Sequence, residues 1–167
     1  SLLDALPEKH SALEKTGNKK ILLVGGSNLS MGLNTEKVSD EFSLPAYNSG
    51  IHAGLGLKFM LDDIIPYIHS GDYVVLVPEY QHLISEKTFY GDKELAYVLM
   101  NYFPKRIKGL SIKQLKNLAP YFLDQIRQNV KEVIFLRFLF KKSHQTWYLV
   151  DAYNSYGDVD KHWGQKP

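Results

Sequence analysis

Ile21-Leu22-Leu23-Val24, followed at once by Gly25-Gly26-Ser27-Asn28-Leu29-Ser30, is the stretch on which the fold turns. A short run of branched apolar residues predicts a strand buried on both faces, as a parallel sheet requires. The paired glycines allow a tight turn without a Cβ clash, so the Ser27 hydroxyl arrives just past the strand's carboxyl end. Open α/β sheets bind their ligands in the crevice outside those ends. A hydroxyl held there by a rigid strand is a candidate nucleophile, and the same letters also describe a serine that caps a helix or shapes a turn.

Three better-known glycine loops fail against the letters. The phosphate-binding loop needs Lys-Ser/Thr after its second glycine, and Gly32 is followed by Leu33-Asn34. The dinucleotide fingerprint needs three spaced glycines, which neither residues 25–30 nor Gly54-Leu55-Gly56 provide. The G-x-S-x-G elbow fails because position 29 is Leu.

Working outward, residues 2–15 read as an amphipathic helix, and residues 35–42 as a short one capped by Asn34. Residues 44–47 read as a second strand. The apolar positions Leu57, Met60, Leu61, Ile64, Ile65 and Ile68 recur at helical spacing, so residues 55–68 predict a crossover helix. Tyr73-Val74-Val75-Leu76-Val77 predicts a third buried strand stopped by Pro78. Asp92 and Ser111 are expected to cap two further helices, the second kinked at Pro120. Residues 133–140 predict a fourth strand. Strands alternating with helices imply right-handed parallel crossovers, hence one α/β domain over residues 1–167. The expected architecture is a three-layer α/β/α sandwich with a flavodoxin-like parallel sheet. Such a sheet ordinarily continues past its fourth strand, so the C-terminus reads as incomplete.

The 167 residues suffice for one core, at 44% hydrophobic composition. A net charge of +2 with 23% charged residues gives no electrostatic signature of nucleic-acid binding. With no cysteine there is no disulfide, thiolate metal site or cysteine nucleophile. No apolar stretch approaches the roughly 20 residues that span a bilayer, and the first residues do not read as a signal peptide. Compartment stays open between extracytoplasmic, with an export signal or anchor removed, and cytoplasmic. No histidines or carboxylates show metal-ligand spacing, and neither metal nor cofactor is expected.

Three strand ends converge on one rim: Ser27-Asn28, residues 48–54, and Pro78-Glu79-Tyr80-Gln81-His82. A nucleophilic serine needs a base and oxyanion donors. The amides of Asn28, Gly50 and Gly54 are the expected donors, and His52 and His82 are possible bases on the rim.

In this order Gly-Gly-Ser-Asn at 25–28, Asn-Ser-Gly-Ile-His-Ala-Gly at 48–54 and the Val-Leu-Val-Pro strand end at 75–78 resemble an SGNH/GDSL-type hydrolase over residues 19 to 83. The resemblance implies Ser27 as nucleophile, a glycine donor at Gly54 or Gly50, an asparagine donor, and a late Asp-x-x-His block supplying the base. Pro78-Glu79-Tyr80-Gln81 stands where that family has Gly-x-Asn-Asp, leaving Tyr80 or Gln81 as substitute donors and Glu79 as a carboxylate of undecided role. Asp158 and His162 give Asp-x-x-x-His and are the candidate dyad within the chain. The resemblance implies hydrolysis of an acyl or O-acetyl ester, on a small molecule or a carbohydrate, or acyl transfer by the same serine. A non-catalytic binding module of the same fold is the alternative.

Overall fold

The computed structural model describes residues 2–17, 19–136, 153–161 and 163, with residues 132–136 described by their backbone alone. Its centre is β1 (Ile21–Gly25), with β2 (Ala46–Asn48) on one side and β3 (Tyr73–Val77) on the other. All pairings are parallel: Ile21 lies opposite Ala46 and Tyr73, and Gly25 opposite Val77. The molecule is therefore mixed α/β, built on a three-stranded parallel sheet of order β2-β1-β3.

Every residue of β1 is buried, which is why its sequence lacks polar alternation. Leu22 and Val24 join the main core with Leu6 and Leu13 of α1 (Leu6–Lys15), Phe59, Met60 and Ile64 of α4 (Leu57–Ile64), and Leu95, Val98 and Leu99 of α7 (Lys93–Asn101). Ile21 and Leu23 form a smaller cluster with Leu29 of α2 (Ser27–Gly32) and Ala46, against which Val38 of α3 (Thr35–Phe42) and Leu44 pack. Burying one such side chain stabilises by about 1.5–3 kcal/mol, so the main core outweighs the smaller one.

The helix ends follow their local chemistry. The Asn34 side chain accepts from Lys37 N–H at 3.0 Å, and Asp92 from Glu94 N–H at 3.3 Å. Ser111 Oγ accepts from Gln114 N–H at 3.3 Å while Gln114 Oε1 accepts from Ser111 N–H at 3.1 Å, a reciprocal cap for α8 (Ile112–Leu136). Between β3 and α7 lie two short helices, α5 (Tyr80–Ile84) and α6 (Glu86–Tyr90), which no long periodic run announces.

Two expectations are corrected. The fourth strand is absent from its expected start: residues 133–136 are the last turn of α8, and residues 137–140 lie outside the described residues. A short apolar run fits helix and strand alike, and with no breaker between Tyr121 and Leu136 an existing helix propagates at one hydrogen bond per residue. Pro120 sits inside α8 without ending it. The third strand is not buried. Tyr73 is 62% and Leu76 40% exposed: the other outer strand, β2, is buried along its length, whereas the faces of β3 are left uncovered by the described residues. An apolar groove of about 910 Å³ runs along its Tyr73, Val75 and Val77 face toward Phe42 and Leu44. Among the described residues no helix is long and apolar enough to cross a membrane.

Candidate functional site

In the order β2-β1-β3 the chain leaves β1 for one neighbour and returns to the other, so the crevice between the carboxyl ends of β1 and β3 is the topological switch point. The turns that meet there are Gly26-Ser27 after β1 and Pro78-Glu79 after β3. Gly26 is the N-cap of α2, with φ −88° and ψ −160°, and Ser27 is the first residue of that helix. Ser27 is half-buried and Asn28 exposed. Among the described residues no group hydrogen-bonds the Ser27 hydroxyl. The Asn28 side chain turns back on its own helix, accepting from Leu29 N–H at 2.8 Å.

Glu79 is brought onto this turn. Its backbone carbonyl accepts from His82 N–H at 2.9 Å at the start of α5, and a Cβ on Gly26 would run into the Glu79 Oε1 atom. Glycine at 26 is what lets the carboxylate lie against the backbone one residue before Ser27. The same Cβ position is 3.3 Å from the Ala53 amide nitrogen, so the second rim segment also reaches the turn.

Both rim histidines are committed. His82, 2% exposed, accepts from Glu79 N–H through Nδ1 at 3.2 Å, so in the neutral ring Nε2 carries the hydrogen and donates to Ala53 O at 2.9 Å. His52 Nδ1 accepts from Gly54 N–H at 3.1 Å, which again leaves the hydrogen on Nε2. Neither ring offers a lone pair in this arrangement, although both lie on the expected rim.

The expected oxyanion donors divide the same way. Gly50 N–H donates to Asn48 Oδ1 at 2.9 Å and Gly54 N–H to His52, so these two amides are spoken for. The Asn28 amide, second in α2, lies in the first turn of its helix and has no intrahelical acceptor. The Ala53 amide begins the short 3-10 turn Ala53–Leu55 and is in the same position. Ala53 lies within the 50–54 stretch whose amides the sequence offers, and its distance from Gly26 singles it out. Tyr80 is 74% exposed and Gln81 is exposed as well. Among the described residues neither side chain holds a partner, so the substitute donors expected there point to solvent.

Asp158 is placed elsewhere than a catalytic orienter. Its Oδ2 accepts from Thr35 N–H at 2.7 Å, and its Oδ1 from Thr35 Oγ1 at 2.5 Å and Asn48 Nδ2 at 2.7 Å. Both oxygens are consumed in fastening residues 153–160 to α3 and β2. His162, its expected partner, lies outside the described residues. Beside Asp158 the Lys9 ammonium, 2% exposed, donates to Asn48 O at 2.9 Å, Gly50 O at 2.6 Å and Gly157 O at 2.8 Å. Burial pushes Lys9 well below the usual lysine range, and the Asp158 charge pulls it partly back. This network fixes the residue 48–50 side of the rim.

A carboxyl pair, Asp92 and Glu94, backs the other side. A Cβ on Gly54 would lie 2.5 Å from Glu94 Oε2 and 2.6 Å from Asp92 Oδ1, and Asp92 N–H donates to Gly54 O at 2.9 Å. Burial, then the hydrogen bond to Asp92, pushes the Glu94 carboxyl up to about 7. Sequence reading missed this pair, since only the two carboxylates two residues apart after Gly91 mark it. No group of three or more His, Cys, Asp or Glu that could hold a metal occurs among the described residues. Comparisons with protein-family models, with curated proteins and with solved structures found no match to this chain.

Proposed function

We propose that the chain carries a serine ester hydrolase of the SGNH type, with Ser27 as nucleophile and an acyl or O-acetyl ester as substrate, on a small molecule or a carbohydrate. One observation carries the reading: at the switch point of a parallel sheet, an unengaged serine hydroxyl at a helix start lies one residue from a backbone position where only glycine admits the Glu79 carboxylate. Ser27 Oγ attacks the acyl carbon and gives up its proton, with Glu79 as the acceptor this rim offers. The oxyanion is held by the Asn28 and Ala53 amides, each such donor being worth about 3–4 kcal/mol of barrier. Collapse breaks the ester C–O bond, the departing oxygen takes the proton back from Glu79 and leaves as the alcohol, and the acyl-serine is then attacked by water or an acceptor hydroxyl whose proton passes through Glu79 to Ser27 Oγ. The three-layer sandwich expected for such an enzyme belongs to this proposal, and what supports it is that α3 packs on the Ile21 and Leu23 side of β1.

The test is turnover of p-nitrophenyl acetate and of an O-acetylated carbohydrate by the wild type and by Ser27→Ala. The proposal expects ester cleavage above the spontaneous rate that falls to background in the variant; equal rates for the two would refute it.

A second reading, a module that binds in the same crevice without turnover, is favoured by the committed Nδ1 atoms of His52 and His82, which leave no histidine lone pair on the rim. It expects an O-acetylated carbohydrate to bind and be recovered intact.

A further inference from the structure

Away from the rim, a cavity of about 490 Å³ opens between α4, α7 and the start of α8, with Lys58, Lys105, Arg106, Gly109 and Gln114 on its wall. Its polar groups are nearly all donors. Arg106 is fixed in place: Nη1 donates to Asp63 Oδ1, and the guanidinium carbon lies 4.9 Å from the centroid of the Phe59 ring. The other guanidinium N–H groups have no partner among the described residues. Lys105 is exposed and likewise unengaged. The one carboxylate on the wall, Asp62, is held by Lys58.

Gln114 is the decisive residue. It is 1% exposed, and Ser111 N–H at 3.1 Å and Ser111 Oγ at 3.0 Å both donate to its oxygen. Because a backbone N–H can only donate, the amide orientation is fixed: the oxygen faces Ser111, and the NH₂ is the end left for the cavity that Gln114 lines. That NH₂ finds no acceptor among the described residues. It stands at the first turn of α8, a 25-residue helix, whose dipole adds positive potential there.

We propose that this cavity is a binding site for a phosphate-class oxyanion. The ligand's oxygens are received by the Gln114 NH₂ and the free Arg106 N–H groups, with Lys105 at the mouth. The same chemistry is presented by a free phosphate compound and by a lipid headgroup, and the test separates them. Binding of inorganic pyrophosphate is measured by isothermal titration calorimetry at low salt. Co-sedimentation with phosphatidylglycerol vesicles is measured against phosphatidylcholine vesicles. Two variants accompany the wild type. Gln114→Glu keeps the oxygen that Ser111 needs and replaces the donor with negative charge, and Lys105→Glu alters an exposed side chain that holds nothing in place.

The wild type is expected to bind pyrophosphate or the anionic vesicles, and each variant to weaken that binding at least about tenfold with an unchanged far-ultraviolet spectrum. Pyrophosphate binding places a soluble phosphate compound in the cavity, and vesicle binding alone places a headgroup there. Should Gln114→Glu fail to fold, Lys105→Glu decides. Wild type that binds neither probe, or binding that Lys105→Glu leaves within twofold, overturns the proposal.

Discussion

Replacing Lys9 by Met tests whether the buried cation, rather than apolar packing alone, holds the rim in shape. Methionine keeps most of the aliphatic stem and removes the ammonium. In the native state that ammonium donates to Asn48 O, Gly50 O and Gly157 O, and its charge faces the fully buried Asp158. Ser30 Oγ also donates to Gly50 O, so that carbonyl keeps one partner. Stranding the other carbonyls, together with a carboxylate deprived of its countercharge, costs about 3–5 kcal/mol, the range for a buried charge that loses its partner. At about 2–4 °C per kcal/mol for a domain of this size, the melting temperature should fall by roughly 6–20 °C, followed by circular dichroism. A fall of under about 3 °C in Lys9→Met would refute the reasoning.

Two further outcomes follow from the rim. The Glu94 carboxyl, raised to about 7 from 4.5, binds a proton in the folded chain that the unfolded chain has already released. Its contribution is therefore fully present below about pH 4.5 and is lost as pH rises to about 7. Glu94→Gln should flatten the melting temperature in that window, and an unchanged pH profile in the variant would show that Glu94 does not titrate there. Gly26→Ala should cost at most about 1 kcal/mol, because the Glu79 carboxylate it meets is the far end of a flexible side chain and can swing away. Its cost should shrink when Glu79 is truncated to Ala, as measured by urea unfolding of the four members of the cycle; strict additivity would mean that the contact is absent.

What the sequence shows plainly is local. The β1 strand, the Gly-Gly-Ser turn and the caps Asn34, Asp92 and Ser111 depend on neighbours within four residues, and each stands where its letters put it. The 133–140 segment fails for want of such a local signal: an apolar run carries no period that separates strand from helix, and the helix already running through Tyr121 captures its first half. The site divides along the same line. Ser27 is legible from its turn. Asp158, by contrast, reads as a catalytic orienter because of a nearby histidine letter, while its carboxylate is bound by Thr35 and Asn48, residues more than a hundred positions away. Lys9 reads as an ordinary surface charge of an amphipathic helix, and only the packed fold shows three backbone carbonyls converging on it. The Glu79 contact is equally invisible in one dimension, because it rests on the absence of a side chain at Gly26.

The central claim is that Ser27 is an activated nucleophile, and the direct measurement is intact-protein mass spectrometry after incubation with a fluorophosphonate probe, on the wild type and on Ser27→Ala. The account predicts a single covalent mass increment on the wild type and none on the variant. An unlabelled wild type, or equal labelling of both, would contradict it.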